Sequence, residues 1–515
     1  MKKTIKSNYL LILYYLVLLF ILNSCSAAAI EEDAFPISNK SSISQISIAP
    51  LNPTFVQYVG EMEQIRENAS SSSNTNEVPL SCLTLSGSSI NTSSPNILKS
   101  ISFLRGGGLV EGHRPTGLIP SPVDLSHLSS VNMQELMASE EYGLMSSDIK
   151  VAGMDVYPSR FDLRDNNGVT AVRDQGNAGS CWTHSTIASL ESYLLYSRSE
   201  DWDFSENNVK NILVTSDPDG FDRIDDDGGF DLMTAAYLSR WSGPVLESDD
   251  PYNYASGISP TNAKAAKHVQ DIFILPGFDG NDTLYKWMIT NYGAVSVAFY
   301  YDGSYFNEEN NSYFYDGEVV EANHAVALVG WNDNYNRSNF TPAAPENGAF
   351  ILKNSWGDNW GEDGYFYVSY YDTVMGNNEG MDGIDTKPYI GNFMFTAENV
   401  SNYDFIYQYD PLGWDGCAGY NNTTAYGANV FTAISNETLE AVSFYTVDSN
   451  AFYNICIYLD PESGPINSSG PVSLQNGSIP IAGYHTIDLD TNVSLLSSQN
   501  FSVVVKFTTQ TIIIL

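Results

Sequence analysis

A cysteine set at the mouth of a helix constrains this chain more than any other feature. The run Gln175-Gly176-Asn177-Ala178-Gly179-Ser180-Cys181-Trp182 contains two glycines that mark a tight turn. From Cys181 to about Ser197, Ile187, Leu190, Leu194 and Leu195 form an apolar stripe at helical spacing. Ser180 reads as the helix cap, so Cys181 falls in the first turn. There the free amides and the positive end of the helix dipole favour a thiolate over a thiol. A cysteine taken alone is more often a small buried hydrophobe.

Two later blocks change that balance. Asn323-His324-Ala325-Val326-Ala327-Leu328-Val329-Gly330-Trp331 alternates as a strand with a histidine beside its start. Ala349 to Gly357 is a second strand, closing on the polar pair Asn354-Ser355, and 332–348 between them reads as a surface loop. His324 lies 143 residues after Cys181 (324 − 181), within the roughly 130–150 expected of a papain-type Cys/His pair.

These residues resemble the papain-like cysteine peptidases over roughly 157–395. The matching motifs are the Gln-to-Cys-Trp block, the Asn-His-Ala strand and the Asn-Ser-Trp-Gly block that runs on to Gly364-Tyr365-Phe366. Gly228-Gly229 before Phe230 resembles the glycine-rich wall of that family's substrate cleft. The resemblance implies an α+β, two-lobed papain-like fold, with Cys181 on a helical lobe and His324 on a β-rich lobe. It also implies Cys181 as nucleophile, His324 as its proton partner, Asn354 as orienter of the imidazole and Gln175 as an oxyanion donor. Gly228, Gly229 and Trp356 would line the substrate cleft, Trp356 also shielding the His324–Asn354 bond. Such a site acts on protein or peptide substrates and needs neither a metal nor another cofactor. Ala178 stands where many members carry a disulfide cysteine, so this lobe would hold without that bridge.

Other residues compete for attention. His184, three positions along the helix from Cys181, is a rival base, better placed for packing or hydrogen bonding. Six aspartates crowd 217–227. They fail as a calcium loop, because Gly228 at the glycine position puts Arg223 at the first ligand position. They read as a solvated acidic loop that would bias the cleft toward basic substrates.

Composition bounds the rest. Lys+Arg number 23 against 61 Asp+Glu, a net charge of −38, so nucleic-acid binding is excluded for want of a basic footprint. In 515 residues, 43% hydrophobic and 13% aromatic, there is core for roughly three folded units. Only 16% are charged, a texture suited to an exported protein, and five cysteines are too few for a disulfide scaffold. Residues 1–29 read as a signal peptide: Lys2, Lys3 and Lys6 precede an apolar run from Tyr9 to Leu22, shorter than the ~20 residues of a membrane span. Cleavage after Ala27-Ala28-Ala29 and a lipobox ending at Cys25 are alternative exits, and membrane anchoring would come only through this terminus. The chain would then be secreted or held at the cell surface. Residues 30–155 are rich in Ser and Asn with short helices near 55–66 and 133–144; they read as a stalk or, given the resemblance, as a propeptide cleaved near Val156–Tyr157.

Residues 396–515 turn to short strands (441–445, 454–459, 484–489 and 501–508) separated by Gly/Pro/Asn/Ser turns, an all-β sandwich. The module is similar to the lectin-like domain of prokaryotic surface peptidases, which implies surface glycans as partners. A Cys417–Cys456 disulfide is one expectation there. The chain ends on Ile512 to Leu515 just after a strand, so the module is read as incomplete or sheet-edged. The function expected is a secreted or surface cysteine endopeptidase, made as a zymogen, acting through an acyl-enzyme. The alternative is an adhesion or carbohydrate-binding protein on a papain-like scaffold, disfavoured because Gln175, Cys181, His324 and Asn354 are all present.

Overall fold

Asn52-Pro53 starts the first helix, and its start shows why that helix is longer than periodicity alone predicted. The computed structural model describes residues 47–71, 115–128, 131, 133, 136, 157–278, 283–376, 391–462 and 464–509. The strand β1 (Ser47–Ile48) leads to α1 (Pro53–Ser71). Asn52 Oδ1 accepts the Thr54 N–H at 2.9 Å, and Pro53 fills the first helical position, where its missing N–H is harmless. Most of the helix expected at 133–144, the signal region 1–29, and Ile512 to Leu515 lie outside the described residues.

The central region follows. It contains β2 (Arg160–Asp162), α2 (Cys181–Arg198), α3 (Glu206–Ile212) and α4 (Asp231–Ser239). After them come β3 (Lys267–Leu275), α5 (Thr283–Asn291), β4 (Val295–Phe299), β5 (Phe306–Asn307), β6 (Ser312–Tyr313) and β7 (His324–Asn332). The region closes with β8 (Ala349–Lys353), β9 (Tyr365–Ser369) and β10 (Asn392–Asn399). Helices α3 and α4 pack against α2, while α5 packs against β4 and β7. In α2, Ile187, Leu190 and Leu194 are fully buried, each contributing about 1.5–3 kcal/mol of transfer free energy. The helix stops at Ser199, which adopts a left-handed conformation (φ 57°) and returns its N–H to the Leu194 and Leu195 carbonyls.

The C-terminal module contains β11 (Ala418–Gly419), β12 (Thr424–Thr432), β13 (Glu437–Thr446), β14 (Ala451–Leu459), β15 (Ser473–Ile479), β16 (Gly483–Leu495) and β17 (Asn500–Thr508). Four of these form one sheet in the order β12-β17-β14-β15. The other long pair joins the central region in one 11-stranded sheet, β13-β16-β3-β10-β4-β7-β8-β9-β6-β5, with β2 alongside β7. The α+β character and the β-rich terminal module match expectation, but the module is not a separate sandwich: its second layer continues the preceding sheet. Gly483 pairs with Phe273 and Tyr484 with Ile272. A Cβ at Gly483 would lie 1.9 Å from the Ile272 carbonyl oxygen, so this junction requires glycine. Strand β10 straddles the expected boundary at 395/396 for the same reason. Cys417 and Cys456 are both free thiols, which removes the expected disulfide. Cys417 Sγ instead accepts the Trp414 indole N–H at 3.2 Å.

Asp231, in the first turn of α4, joins the two lobes. Its Oδ1 accepts the Ser296 hydroxyl of β4 at 2.7 Å, and burial pushes its carboxyl up to about 7. A carboxyl raised in the fold contributes stability below its unfolded value of about 3.9, and that contribution is lost as pH climbs through about 7. Asp231→Asn is therefore expected to gain thermal stability relative to the parent progressively between pH 4 and 8. Parallel melting-temperature profiles for the two proteins would contradict the assignment.

Candidate active site

The helix mouth forms as the local sequence dictates, with one difference. Cys181 is the first residue of α2, but the Ser180 side chain does not cap it; its hydroxyl pairs with the Tyr252 hydroxyl at 2.7 Å. Across the lobe junction, the strand β7 starts at His324. Ala325, the next residue, donates its N–H to Cys181 Sγ at 3.4 Å, so β7 delivers the histidine to the thiol. His324 Nε2 is 2.9 Å from Asn354 Oδ1, which also accepts the Ser355 N–H at 2.8 Å. Because Asn354 Oδ1 is the acceptor, Nε2 carries the hydrogen. The Trp356 indole stacks on the imidazole, with centroids 4.6 Å apart and planes 13° from parallel, and covers the His324–Asn354 bond. His324 Nδ1 has no hydrogen-bond partner among the described residues.

Gln175 sits behind the helix mouth. Ser355 donates its hydroxyl to Gln175 Oε1 at 2.7 Å, which leaves the amide hydrogens for other partners. Ser355 was not singled out in the sequence; its only signal was membership of the Asn-Ser-Trp-Gly block. The buried pair Lys353 and Glu191 steadies the end of β8 just before Asn354, both meeting the Thr170 hydroxyl, at 3.1 and 2.6 Å. Burial raises the Glu191 carboxyl and lowers the Lys353 ammonium.

The groove is not open. Residues 115–119 run through it. Gln175 Nε2 donates to the Thr116 carbonyl at 3.0 Å and the Trp356 indole N–H to the Pro115 carbonyl at 2.8 Å. Gly229 N–H donates to Gly117 O, and Ile119 N–H donates back to Gly229 O, each at 3.0 Å, making a parallel bridge centred on Leu118. On the opposite wall the Asn323 carbonyl accepts the Gly117 and Leu118 N–H groups at 3.3 and 3.2 Å. Gly228 takes φ +81°, and a Cβ there would come within 2.6 Å of the Gly117 oxygen. Gly228 and Gly229 thus border the space that segment 115–119 occupies.

That cover sets the electrostatics. Cys181 and His324 are both completely buried. Burial pushes the thiol up to about 12, against the opposing hydrogen bonds from Ala325, Trp182 and Leu118. It pulls the imidazole down to about 4, against the bond to Asn354. Burial in the covered form thus works against the thiolate–imidazolium pair expected from sequence.

His184 takes the hydrogen-bonding and packing role expected of it, and the reading of the aspartate run is corrected. His184 is no second base toward the groove: its Nδ1 is 2.9 Å from the Ser180 carbonyl, and its ring meets Tyr252 edge-on. The aspartate run is not simply solvated. Buried Arg223 organises it, donating to the carbonyls of Gly228, Lys210 and Asp225. Asp225 faces Lys210 at 3.7 Å, Asp226 accepts the Gly179 N–H at 2.9 Å, and Asp227 accepts the Ile224 N–H at 2.9 Å. These carboxylates serve the loop and the turn before Cys181. Among the described residues, no group of three or more His, Cys, Asp or Glu is placed to hold a metal ion, and no helix is long and apolar enough to cross a membrane.

Comparison with known proteins adds to this geometry. Residues 157–389 match the model of the papain family of cysteine proteases, and 406–513 that of a lectin-like domain. A viral cathepsin of Adoxophyes honmai nucleopolyhedrovirus is 33% identical over 229 residues, 44% of this chain and 60% of the relative. Cathepsin F of Drosophila melanogaster is 30% identical over 227 residues, 43% of this chain and 34% of the relative. The chain thus spans less than two thirds of either relative's length. Among solved structures, the cysteine protease and lectin-like domains of Cwp84, a surface layer associated protein of Clostridium difficile, align at a TM-score of 0.65 and 21% identity, covering 91% of this chain and 86% of that one. The same protease after propeptide cleavage aligns at 0.58 and 25% identity, covering 68% and 84%.

Proposed function

We propose that this chain, in which a papain-family cysteine protease domain is followed by a lectin-like domain, is a secreted or cell-surface cysteine endopeptidase held dormant by its own N-terminal extension. The peptidase unit is taken as 156–395 and the lectin-like module as 396–515, with surface glycans as partners of the latter. The neighbouring Cwp84 structure is described as surface layer associated, and the leader 1–29 fits export. The observation that carries the reading is the meeting of three groups distant in sequence: Cys181 beside the start of β7, His324, and Asn354 bonded to that histidine at 2.9 Å.

In the uncovered enzyme, the Cys181 proton passes to His324 Nδ1 and the thiolate attacks the scissile carbonyl carbon. The carbonyl π electrons move to oxygen, where the Gln175 amide and the Cys181 N–H stabilise the oxyanion. Collapse expels the amine, protonated by His324, and leaves a thioester. Water, deprotonated by the same imidazole, hydrolyses it and restores the thiol. Asn354 holds the ring in the one orientation that serves both transfers. In the dormant form the Thr116 carbonyl takes the Gln175 amide, and burial keeps sulfur and imidazole neutral. Withdrawal of 115–119 after cleavage near residue 156 admits water and lets the ion pair form.

The test is labelling by a thiol-specific epoxide before and after trimming of the extension, with the adduct mapped by mass spectrometry. Adduct on Cys181 in the trimmed protein, and little in the intact one, is expected. An adduct on another cysteine, or none after trimming, overturns the reading.

A further inference from the structure

We infer that the cleft between the C-terminal module and the peptidase domain is a composite binding site for a neutral oligosaccharide, with one wall supplied by the peptidase domain itself. This rests on the reading of the module as glycan-binding and assigns where that binding occurs.

The cleft has a volume of about 760 Å³, inside the roughly 300–1,000 Å³ range of small-ligand sites. It lies where the edge strands β12 and β13 part, under the loop 401–410. That loop is pinned: Tyr409 donates its hydroxyl to the Val430 carbonyl at 2.8 Å, Tyr403 to Asp488 at 2.7 Å, and Tyr407 to Glu437 at 2.5 Å. The far wall is Trp241 and Gln270, both within the stretch that matches the protease family.

Trp241 is the telling residue. It follows α4 with φ +61°, a left-handed backbone that a bulky side chain adopts only against strain, and such strain concentrates at functional sites. Its ring stacks on His268 at 3.6 Å and 6°, and His268 Nδ1 is held 2.7 Å from Asn402 Oδ1. Tyr403 lies parallel to it within 9°, with centroids 6.5 Å apart. The result is a fixed aromatic surface lining a cleft, suited to the apolar face of a sugar ring.

The polar lining narrows the ligand class. Gln270, Gln408 and Asn429 supply amides, and Asp404, Glu437 and Glu440 supply carboxylates. The cation in the cleft lining, Arg240, points its guanidinium at the Asp219 and Pro411 carbonyls at 2.5 and 2.6 Å and keeps its charge, against the carboxylates of Asp404, Asp410, Glu437 and Glu440. That excess of carboxylates over the single lining cation disfavours anionic glycans, while aromatic faces beside amides and hydroxyl acceptors match neutral ones. The composite geometry is held by the sheet that runs from β16 into β3, where Thr486 donates its hydroxyl to the Gln270 carbonyl at 2.9 Å.

The test is calorimetry on the full chain with chitotetraose, cellotetraose and maltotetraose, with tetragalacturonate as the anionic counter-probe. At least one neutral tetrasaccharide is expected to bind. Trp241→Ala is expected to weaken it tenfold or more, and Trp241→Phe to restore part of the loss, with circular dichroism verifying the fold of each variant. If no neutral probe binds, both this site and the glycan reading fail. If one binds but Trp241→Ala leaves its affinity unchanged, the composite site is overturned and the glycan reading survives. Stronger binding of tetragalacturonate, or displacement of a bound sugar by an extended peptide that pairs with the β12 edge, also overturns it.

Discussion

Cys181→Ala is expected to abolish peptide hydrolysis, lowering turnover of the trimmed enzyme by at least about 10⁴-fold, the scale seen when a nucleophile is removed from an intact triad. On the proposed mechanism the sulfur would supply the acyl-enzyme, and neither His324 nor Asn354 offers a second route to one. The fold is expected to persist, because the lost thiol is one small group among the fully buried residues of α2. The same variant separates self-processing from processing by another peptidase. If the chain trims itself, Cys181→Ala stays full length in a purified preparation. Residual hydrolysis above about 1% of the parent, measured on a fluorogenic peptide with the adduct chemistry blocked, would assign the nucleophile elsewhere.

Gly117→Val should activate the intact chain without any cleavage. A Cβ at Gly117, which takes φ +145°, would lie 2.2 Å from the backbone carbon of Gly179. Both partners are main chain, so no side-chain rotation relieves the overlap, and the cover must leave the groove. Its departure frees the Gln175 amide hydrogen held by Thr116, while the other stays on the Ala178 carbonyl, and exposes Cys181. Burial holds the covered thiol well above its ordinary value, so little of it is ionised at neutral pH. An uncovered thiolate–imidazolium pair reacts at any neutral pH. Alkylation of full-length Gly117→Val at pH 7 is expected to be about 10²-fold faster than that of the full-length parent, or more. An unchanged alkylation rate in a folded Gly117→Val protein would show that 115–119 is not what keeps the thiol inert.

The site residues were legible because each block that carries them has a strong local signal. The glycines and helical stripe around Cys181, the alternation from His324 and the polar end of the strand at Asn354 each specify their own element. What joined them was spacing, and β7 does bring His324 to the helix mouth. The strands β12 and β15 were missed because Gly, Asn, Ser and Gln dilute their alternation; their partners β17 and β14 hold them in register. The disulfide expectation failed because sequence spacing carries no distance between Cys417 and Cys456. The aspartate run looked solvated because one buried arginine, Arg223, does not announce that it will collect carbonyls from three directions.

The sequence by itself placed Cys181 at a helix mouth, His324 at the start of one strand and Asn354 just past the end of another, since local pattern encodes those. Only the tertiary structure decided three other things: that residues 115–119 lie in the groove, that burial beneath them works against charge on Cys181 and His324, and that the terminal module shares a sheet with β3. The reason is common to all three. Segment 115–119 has no periodicity, and its conformation comes from Gly229 and Asn323 on opposite walls. Protonation follows from burial, and the shared sheet from backbone hydrogen bonds between strands more than 200 residues apart. Interactions of that kind are set by what packs against a residue, which its neighbours in sequence do not specify.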